Sequence, residues 1–354
     1  MALVLFFCSS NYDLNLLGTE MERLFAGVQV VGCTTAGEIG PGGYREHSLA
    51  GVSFSSDVCT AVTGHLDSLQ RFSISDGQAF GQRLARELGA KAPHATEQNS
   101  FAFLLIDGLS VREEPVARAL QNGLGKIALV GGSAGDGINF GKTHVYAAGS
   151  FRSDRAALTL LTTHLPFTVF KTQHFLPTDQ RLVITSADAG QRIVKEINGL
   201  PAAPEYARLV GVDISDINPQ RFAVSPVVVL IDGNNYVRSI QKVNPDDSMT
   251  FFCAIEEGLV LRIARGINLV ENLEKSMAEI LAEIGPPQLV LTFDCILRKL
   301  EIAQNQLEGR VGDILRRNNA IGFNTYGEQF RGVHVNQTLS GVALGGISSG
   351  GRDA

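Results

Sequence analysis

The chain has 354 residues, 44% hydrophobic and 19% charged, with 38 glycines and a net charge of −6. That length exceeds one ordinary hydrophobic core and suits two domains. The acidic balance argues against a dedicated nucleic-acid binder, which would show a basic face. The five cysteines (Cys8, Cys33, Cys59, Cys253 and Cys295) are scattered without a CxxC pair, which suits a reducing compartment. No apolar run reaches the length of a membrane span, and the opening MALVLFF lacks a signal peptide's basic start and cleavage site. The expected location is the cytoplasm, with no membrane partner. The first residues already read as strand interior, so an upstream element is expected.

In chain order, ALVLFFCSS reads as a strand, Leu14 to Phe25 as a helix, and VQVVG as a second strand running into CTTAGE. The order recurs as FAFLLIDGLS, a helix from Glu113 to Leu124, and IALVGGSAGDG. EINGLPAAPEYARLVG is a short helical passage bracketed by Gly and Pro, and a domain boundary is placed near Gly199. PVVVLIDGNNYVRSIQKVNPDDSMTFFCAIEEGLVLRIARG then alternates short strands with the turn sequences DGNN and NPDDS, an antiparallel meander. The first pattern returns as QLVLTFDCIL, a helix over Arg298 to Arg316, and AIGFNTYGEQ. Nearly continuous apolar strands are those buried on both faces, and strand, helix, strand implies a parallel crossover. The expected fold is therefore α/β or α+β, with mixed sheets built from duplicated strand-helix-strand units. The expected domains are 1–198 and 199–345, with a flexible tail over 346–354.

Val30 to Phe54 aligns without a gap on Ala320 to Leu344, setting Gly32 on Gly322, Thr35 on Thr325, Gly37 on Gly327, Glu38 on Glu328 and Gly51 on Gly341. The two stretches are expected to hold equivalent backbone positions, with a ligand cleft between the units. Apolar or alternating stretches (SLAGVSF, KTHVYAA, TLSGVAL) follow the glycine motifs. Phosphate-binding glycine loops instead open a helix, whose free N–H groups supply the site, so no nucleotide is expected here. Glu38, Asp136 and Glu328 end the three motifs. They read as turn residues accepting backbone N–H bonds or as a ring of carboxylates around a ligand.

Together GCTTAGEI, LVGGSAGDG, EINGLPAAPEYARLVG, FDCILRKLE and GFNTYGEQFRGVHVNQTLSGVALG resemble the FIST family of sensory proteins, with paired N and C domains. VRSIQKVN, FFCAIEEGLVL, FDCILRKLE and GVHVNQT are most similar to the NosP-type nitric-oxide-sensing proteins. That resemblance implies a haem b sensor of nitric oxide, partnered with a histidine kinase or a cyclic-di-GMP enzyme, and leaves room for a homodimer. The alternative it implies is a sensor of a small metabolite such as an amino acid, without haem.

A haem held without covalent attachment needs an axial ligand in an apolar cleft. Of seven histidines, His334 is set apart because the equivalent first-repeat residue is Tyr44. In a strand it shares a face with Asn336 and Thr338. With the resemblance, His334 is the expected haem and metal ligand, Asn336 its orienting partner, and His174 the fallback. The competing reading of His334 is a structural histidine tied to Glu328 and Asn336. Arg298 could hold a carboxylate or propionate, or form a surface pair with Glu301. The sequence has no HExxH and no cysteine beside a histidine. Cys33 and Cys295 show no sign of an activated thiolate. No enzyme is expected.

Overall fold

The computed structural model describes residues 1–231 and 233–346; Asp232 of the expected DGNN turn and residues 347–354 of the expected tail lie outside them. The first unit is β1 (Leu3–Ser9), α1 (Leu14–Leu24), β2 (Gln29–Thr35), a hairpin of β3 (Glu38–Gly40) and β4 (Gly43–Arg45), and β5 (Leu49–Phe54). Asp13 starts α1 by accepting the amides of Asn15 and Leu16 at 3.0 Å, supplying acceptors to N–H groups that have none within the helix. β1 lies parallel to β2 and antiparallel to β5.

The second unit is β6 (Cys59–Asp67), α2 (Ile74–Lys91), β7 (Ser100–Ile106), α3 (Glu113–Leu124), β8 (Ala128–Ser133), a hairpin of β9 (Val145–Ala147) and β10 (Ser150–Arg152), and β11 (Arg155–Thr163). All seven residues of β7 are buried, as a strand covered on both faces requires. KTHVYAA supplies the hairpin strand β9, and the counterpart of SLAGVSF and TLSGVAL is β11.

The third unit opens with β12 (Phe167–Thr172) and is then interrupted by an inserted sheet. The insertion holds β13 (Phe175–Asp188), β14 (Ile193–Ile197), β15 (Leu200–Pro201), α4 (Ala202–Val210), α5 (Pro219–Val224), β16 (Val227–Ile231), β17 (Asn234–Arg238), β18 (Ile240–Val243), β19 (Met249–Phe251) and β20 (Val260–Gly266). This sheet has its own core around Leu182, Tyr206, Phe222 and Phe251. Gly199 lies in the turn between β14 and β15, which pair with each other, so the sheet continues across it. The unit then resumes with α6 (Leu269–Ile284), β21 (Pro287–Cys295), α7 (Ile296–Gln304), α8 (Glu308–Arg317), β22 (Ala320–Thr325), a hairpin of β23 (Glu328–Phe330) and β24 (Val333–Val335), and β25 (Leu339–Gly345). The single helix expected over Arg298 to Arg316 is two helices, because Gln306 between them has φ +55°, a left-handed conformation that an α-helix cannot carry.

The hairpins are exchanged in a ring. β3–β4 of the first unit pairs with β22 of the third. β23–β24 of the third pairs with β8 of the second, and β9–β10 of the second pairs with β2 of the first. A two-stranded ribbon is marginal alone, so each hairpin gains its stability on a neighbour's edge and also caps that edge. The three sheets enclose one core, where Phe7 stacks on Phe323 at 4.7 Å and Phe293 meets Phe323 edge-on at 5.8 Å. The mixed architecture of layered sheets and helices is the one expected from the duplicated units. The ungapped repeat occupies matching places: Gly32 pairs with Phe6 across β1–β2 and Gly322 with Thr292 across β21–β22. Gly37 and Gly327 both turn the chain at positive φ, +135° and +155°, where a side chain is disfavoured.

Candidate functional site

A cleft of about 400 Å³ lies where loops of all three units converge. The first unit contributes the end of β1 (Ser9, Asn11), its glycine turn (Ala36, Gly37) and Glu46. The second contributes the loop around Asp136 and Ile138, and the third one face of α7, with Ile296, Lys299 and Leu300. Parallel strands end here, which is where crossover folds gather ligand-binding loops. The Lys299 ammonium donates to the Ala36 carbonyl at 2.9 Å and to Glu46 at 2.7 Å. Two of its three donors are used, and salt-bridged Lys299 holds the Glu46 carboxyl below the usual carboxylate range. Asn11 meets the His47 ring at 2.7 Å on the rim. The cleft offers both signs of charge on partly apolar walls.

The three motif carboxylates hold turns. Glu38 accepts from the Thr35 hydroxyl and from the Ser48 amide and hydroxyl, at 3.1 and 2.7 Å for the latter two. Glu328 repeats the pattern with Thr325 and with the Thr338 amide and hydroxyl, at 3.2 and 2.7 Å for the Thr338 pair. Burial pushes the Glu328 carboxyl up to about 8, against the pull of those donors. Asp136 accepts the Gly141 and Lys142 amides at 2.8 Å and the Tyr326 hydroxyl. Each acid holds a turn through amide and hydroxyl donors, and Glu38 and Asp136, unlike Glu328, also line the cleft.

The other face of α7 carries a buried polar network. Arg298 Nε donates to Asp294 at 2.8 Å, both side chains have no exposed surface, and Nη1 and Nη2 have no partner. Tyr44, from the first unit's hairpin, donates its hydroxyl to Asp294 at 2.5 Å. Burial pushes the Asp294 carboxyl up against the opposing pull of Arg298 and Tyr44. Glu301 faces His174 Nε2 at 2.8 and 2.9 Å instead of pairing with Arg298 on the surface. Burial lowers the His174 pKa against the pull of Glu301, and its Nδ1 is buried without a partner.

His334 is buried, and both ring nitrogens are engaged. Nδ1 lies 3.3 Å from the Gln329 amide nitrogen and Nε2 lies 3.3 Å from the Phe252 carbonyl. The carbonyl can only accept, so Nε2 carries the proton and Nδ1 receives the Gln329 N–H. No lone pair is left for iron, and the arrangement does not fit a haem at His334. Asn336 is also not its partner: its Oδ1 accepts the Ser239 amide at 3.5 Å, and its Nδ2 is unpartnered. The strand that would align His334 with Thr338 ends at Val335, and Gln337 has φ +50°. His174 keeps one free nitrogen. It is enclosed, its ring 4.2 Å from that of Phe175.

His334 gives the protein an acid limit. Burial pushes its pKa from the ordinary 6.5 down to about 4. Above pH 6.5 the residue is neutral whether the chain is folded or not, so its contribution is fully present. As pH falls from 6.5 towards 4, only the unfolded chain takes up the proton and stability drains away, by about 3 kcal/mol at most. Urea unfolding across that window is expected to show the slope in wild type and a shallower one in His334→Gln. Equal slopes would mean that His334 titrates normally.

The cleft residues Lys299, Glu46 and Asn11 were not singled out by sequence; the available signal was the position of Lys299 in FDCILRKLE, beside the repeat. Among the described residues, no group of three or more His, Cys, Asp or Glu side chains is placed to hold a metal ion, and no helix is long and apolar enough to cross a membrane. The FIST N domain profile matches residues 2–200 and the FIST C domain profile residues 202–331. No curated protein matches the sequence.

Proposed function

From a chain that belongs to the FIST family, with its N and C domains both present, we propose a sensor of a small polar metabolite, such as an amino acid, bound in the three-unit cleft. FIST domains are sensory modules without catalysis. The supporting observation is Lys299, anchored at the cleft wall with one donor unused, beside Glu46. A ligand carboxylate would take the free donor and a ligand ammonium would face Glu46, while Ile138, Ile296 and Leu300 cover its apolar part. About 400 Å³ falls at the small end of ligand pockets, roughly 300–1,000 Å³. Lys299 also holds the turn at Ala36 that leads into the β3–β4 hairpin, so a ligand competing for this ammonium would bear on the hand-over between units. That supplies a path from occupancy to a change in shape.

The finer reading is a haem b sensor of nitric oxide acting on a histidine kinase or a cyclic-di-GMP enzyme. One observation supports it: the free Nδ1 of His174, whose other nitrogen is oriented by Glu301. A thermal-shift screen of the standard amino acids and an absorbance spectrum of haem-supplied protein separate the two. The metabolite reading expects one amino acid to stabilise wild type by about 2.7 kcal/mol at a hundredfold excess over its Kd. Lys299→Ala should abolish that response. No response from any amino acid, with a Soret band that disappears in His174→Ala, would replace the metabolite by haem.

A further inference from the structure

Among the described residues, the three-unit cleft is lined by all three units and by none of the inserted sheet, residues 175–266. The apolar cluster beneath its wall is nevertheless completed by that sheet. Ala36, Ile296 and Leu300, which face the cleft, share this cluster with Tyr326, with Ala223 of α5 and with Phe252, the residue after β19. The Phe252 ring is buried, 5.5 Å from that of Phe140 and 5.9 Å from that of Tyr326. Phe140 and Tyr326 are themselves 4.9 Å apart.

These three rings stand behind the second unit's share of the cleft. The Tyr326 hydroxyl accepts the Asp136 amide at 3.1 Å, donates to the Asp136 carboxylate and lies 3.0 Å from the Gly137 carbonyl. Phe140 ends the same loop with φ +51°, a left-handed conformation that a bulky residue keeps only where its surroundings hold it. Packing against Phe252 and Tyr326 supplies that hold. Phe252 is fixed in turn from outside the cleft. Its carbonyl accepts Arg192 Nη1 at 2.7 Å and His334 Nε2 at 3.3 Å. Arg192 is ion-paired at 2.7 Å with Glu113, at the start of α3. Two residues on, the Ala254 amide donates to the Glu114 carboxylate at 2.6 Å. The segment is thus anchored on the second and third units, and its Phe252 side chain reaches under the cleft.

We infer that Phe252 is a positioning residue for the ligand site, through which the inserted sheet sets the wall formed by Asp136, Gly137, Ile138 and Asn139. This rests on the cleft being the ligand site. With the sheet docked, Phe140 is held left-handed and the wall keeps its place. Without the Phe252 ring, Phe140 relaxes and Ile138 withdraws from the ligand's apolar part. The coupling runs both ways: a ligand that needs the wall in place tightens the docking of the sheet by the same factor. The sheet's attachment then reports occupancy.

Hydrogen exchange in the full chain tests this, first without any amino acid. Phe252→Ala is expected to speed exchange about tenfold, an ordinary size for coupling between sites, at the Asp136, Gly141 and Lys142 amides. The Ser48 amide, held by Glu38 on the first unit's side, should stay as in wild type. Phe252→Met, which restores bulk, should recover most of the protection. Phe140→Asn removes a half-buried ring but keeps a residue that tolerates the left-handed backbone. It should loosen the Ala254 amide in return, and it decides alone if Phe252→Ala does not fold. Each standard amino acid is then titrated in turn. One that binds wild type should also slow Ala254, and should bind Phe140→Asn about tenfold more weakly. Equal acceleration at Ser48 would reduce Phe252 to a role in stability and overturn the inference. Unchanged exchange at Gly141 and Lys142 in both variants would overturn it too. If no amino acid binds wild type, the cleft reading fails, and the exchange pattern without amino acid still decides this one.

Discussion

Replacing Asp294 with alanine is expected to destabilise the protein by about 3–5 kcal/mol, the range for stripping one partner from a buried ion pair. Arg298 would lose its only hydrogen bond, the 2.8 Å contact from Nε, because Nη1 and Nη2 already lack partners. Its guanidinium cannot shed its proton in compensation. The Tyr44 hydroxyl would lose its acceptor too, loosening the first unit's hairpin where it rests on the third. A substitution in β21 is thus felt across a unit boundary. The double variant Asp294→Leu with Arg298→Met should recover most of the loss, since an apolar pair of similar volume costs less than one unpaired charge. Denaturant midpoints decide between these outcomes. A loss below about 1 kcal/mol in Asp294→Ala would mean that water or Glu301 reaches the guanidinium.

The units were legible because strands buried on both faces announce themselves as apolar runs, and because Val30–Phe54 and Ala320–Leu344 retain the same glycines in the same register. The exchange between units was not. β3 meets β22 through backbone bonds between Ile39 and Gly322, and backbone pairing leaves little mark on side-chain type at such a distance along the chain. In the second unit the eleven residues between β8 and β9 displace the hairpin, which is how KTHVYAA came to stand for the strand that is really β11. The inserted sheet was read as a meander from Pro226 onward, but its longest strand, Phe175–Asp188, alternates too irregularly, with exposed Leu176 and a register shift after Pro177.

The site divides in the same way. His334 was expected as a haem ligand or as a structural histidine tied to Glu328 and Asn336, and its partners are a side chain across its own hairpin and a carbonyl 82 residues away. Arg298 and Glu301, three apart, suggested a surface pair because helix spacing alone brings such residues together. Burial of that face of α7 against the β3–β4 hairpin and His174 sent each to a different partner. Lys299 faces the cleft only because the neighbouring units close over its side of the helix, and a lysine on an amphipathic helix otherwise reads as a solvated charge.

Gly322→Ala is expected to be the most damaging single methyl addition in the repeat, and Gly89→Ala a stabilising one. A Cβ on Gly322 would stand 1.8 Å from the Thr292 carbonyl oxygen and 2.5 Å from the Thr292 hydroxyl. Relief means moving β22 off β21, but β22 also carries the β3–β4 hairpin on its other side. The cost should therefore reach the upper end of the usual overpacking range, about 3 kcal/mol or more. Gly32→Ala, its repeat counterpart, meets the Phe6 carbonyl at 2.6 Å and should be damaging in the same way. Gly89 lies on the exposed face of α2 with nothing within 4 Å of an added Cβ. Alanine there removes chain entropy from the unfolded state and should add about 0.5–1 kcal/mol. Thermal unfolding of the three variants tests the geometry directly. If Gly322→Ala melted with wild type, the close approach of β21 and β22 would not be what this glycine serves, and the equivalence of the two repeats would lose its energetic basis.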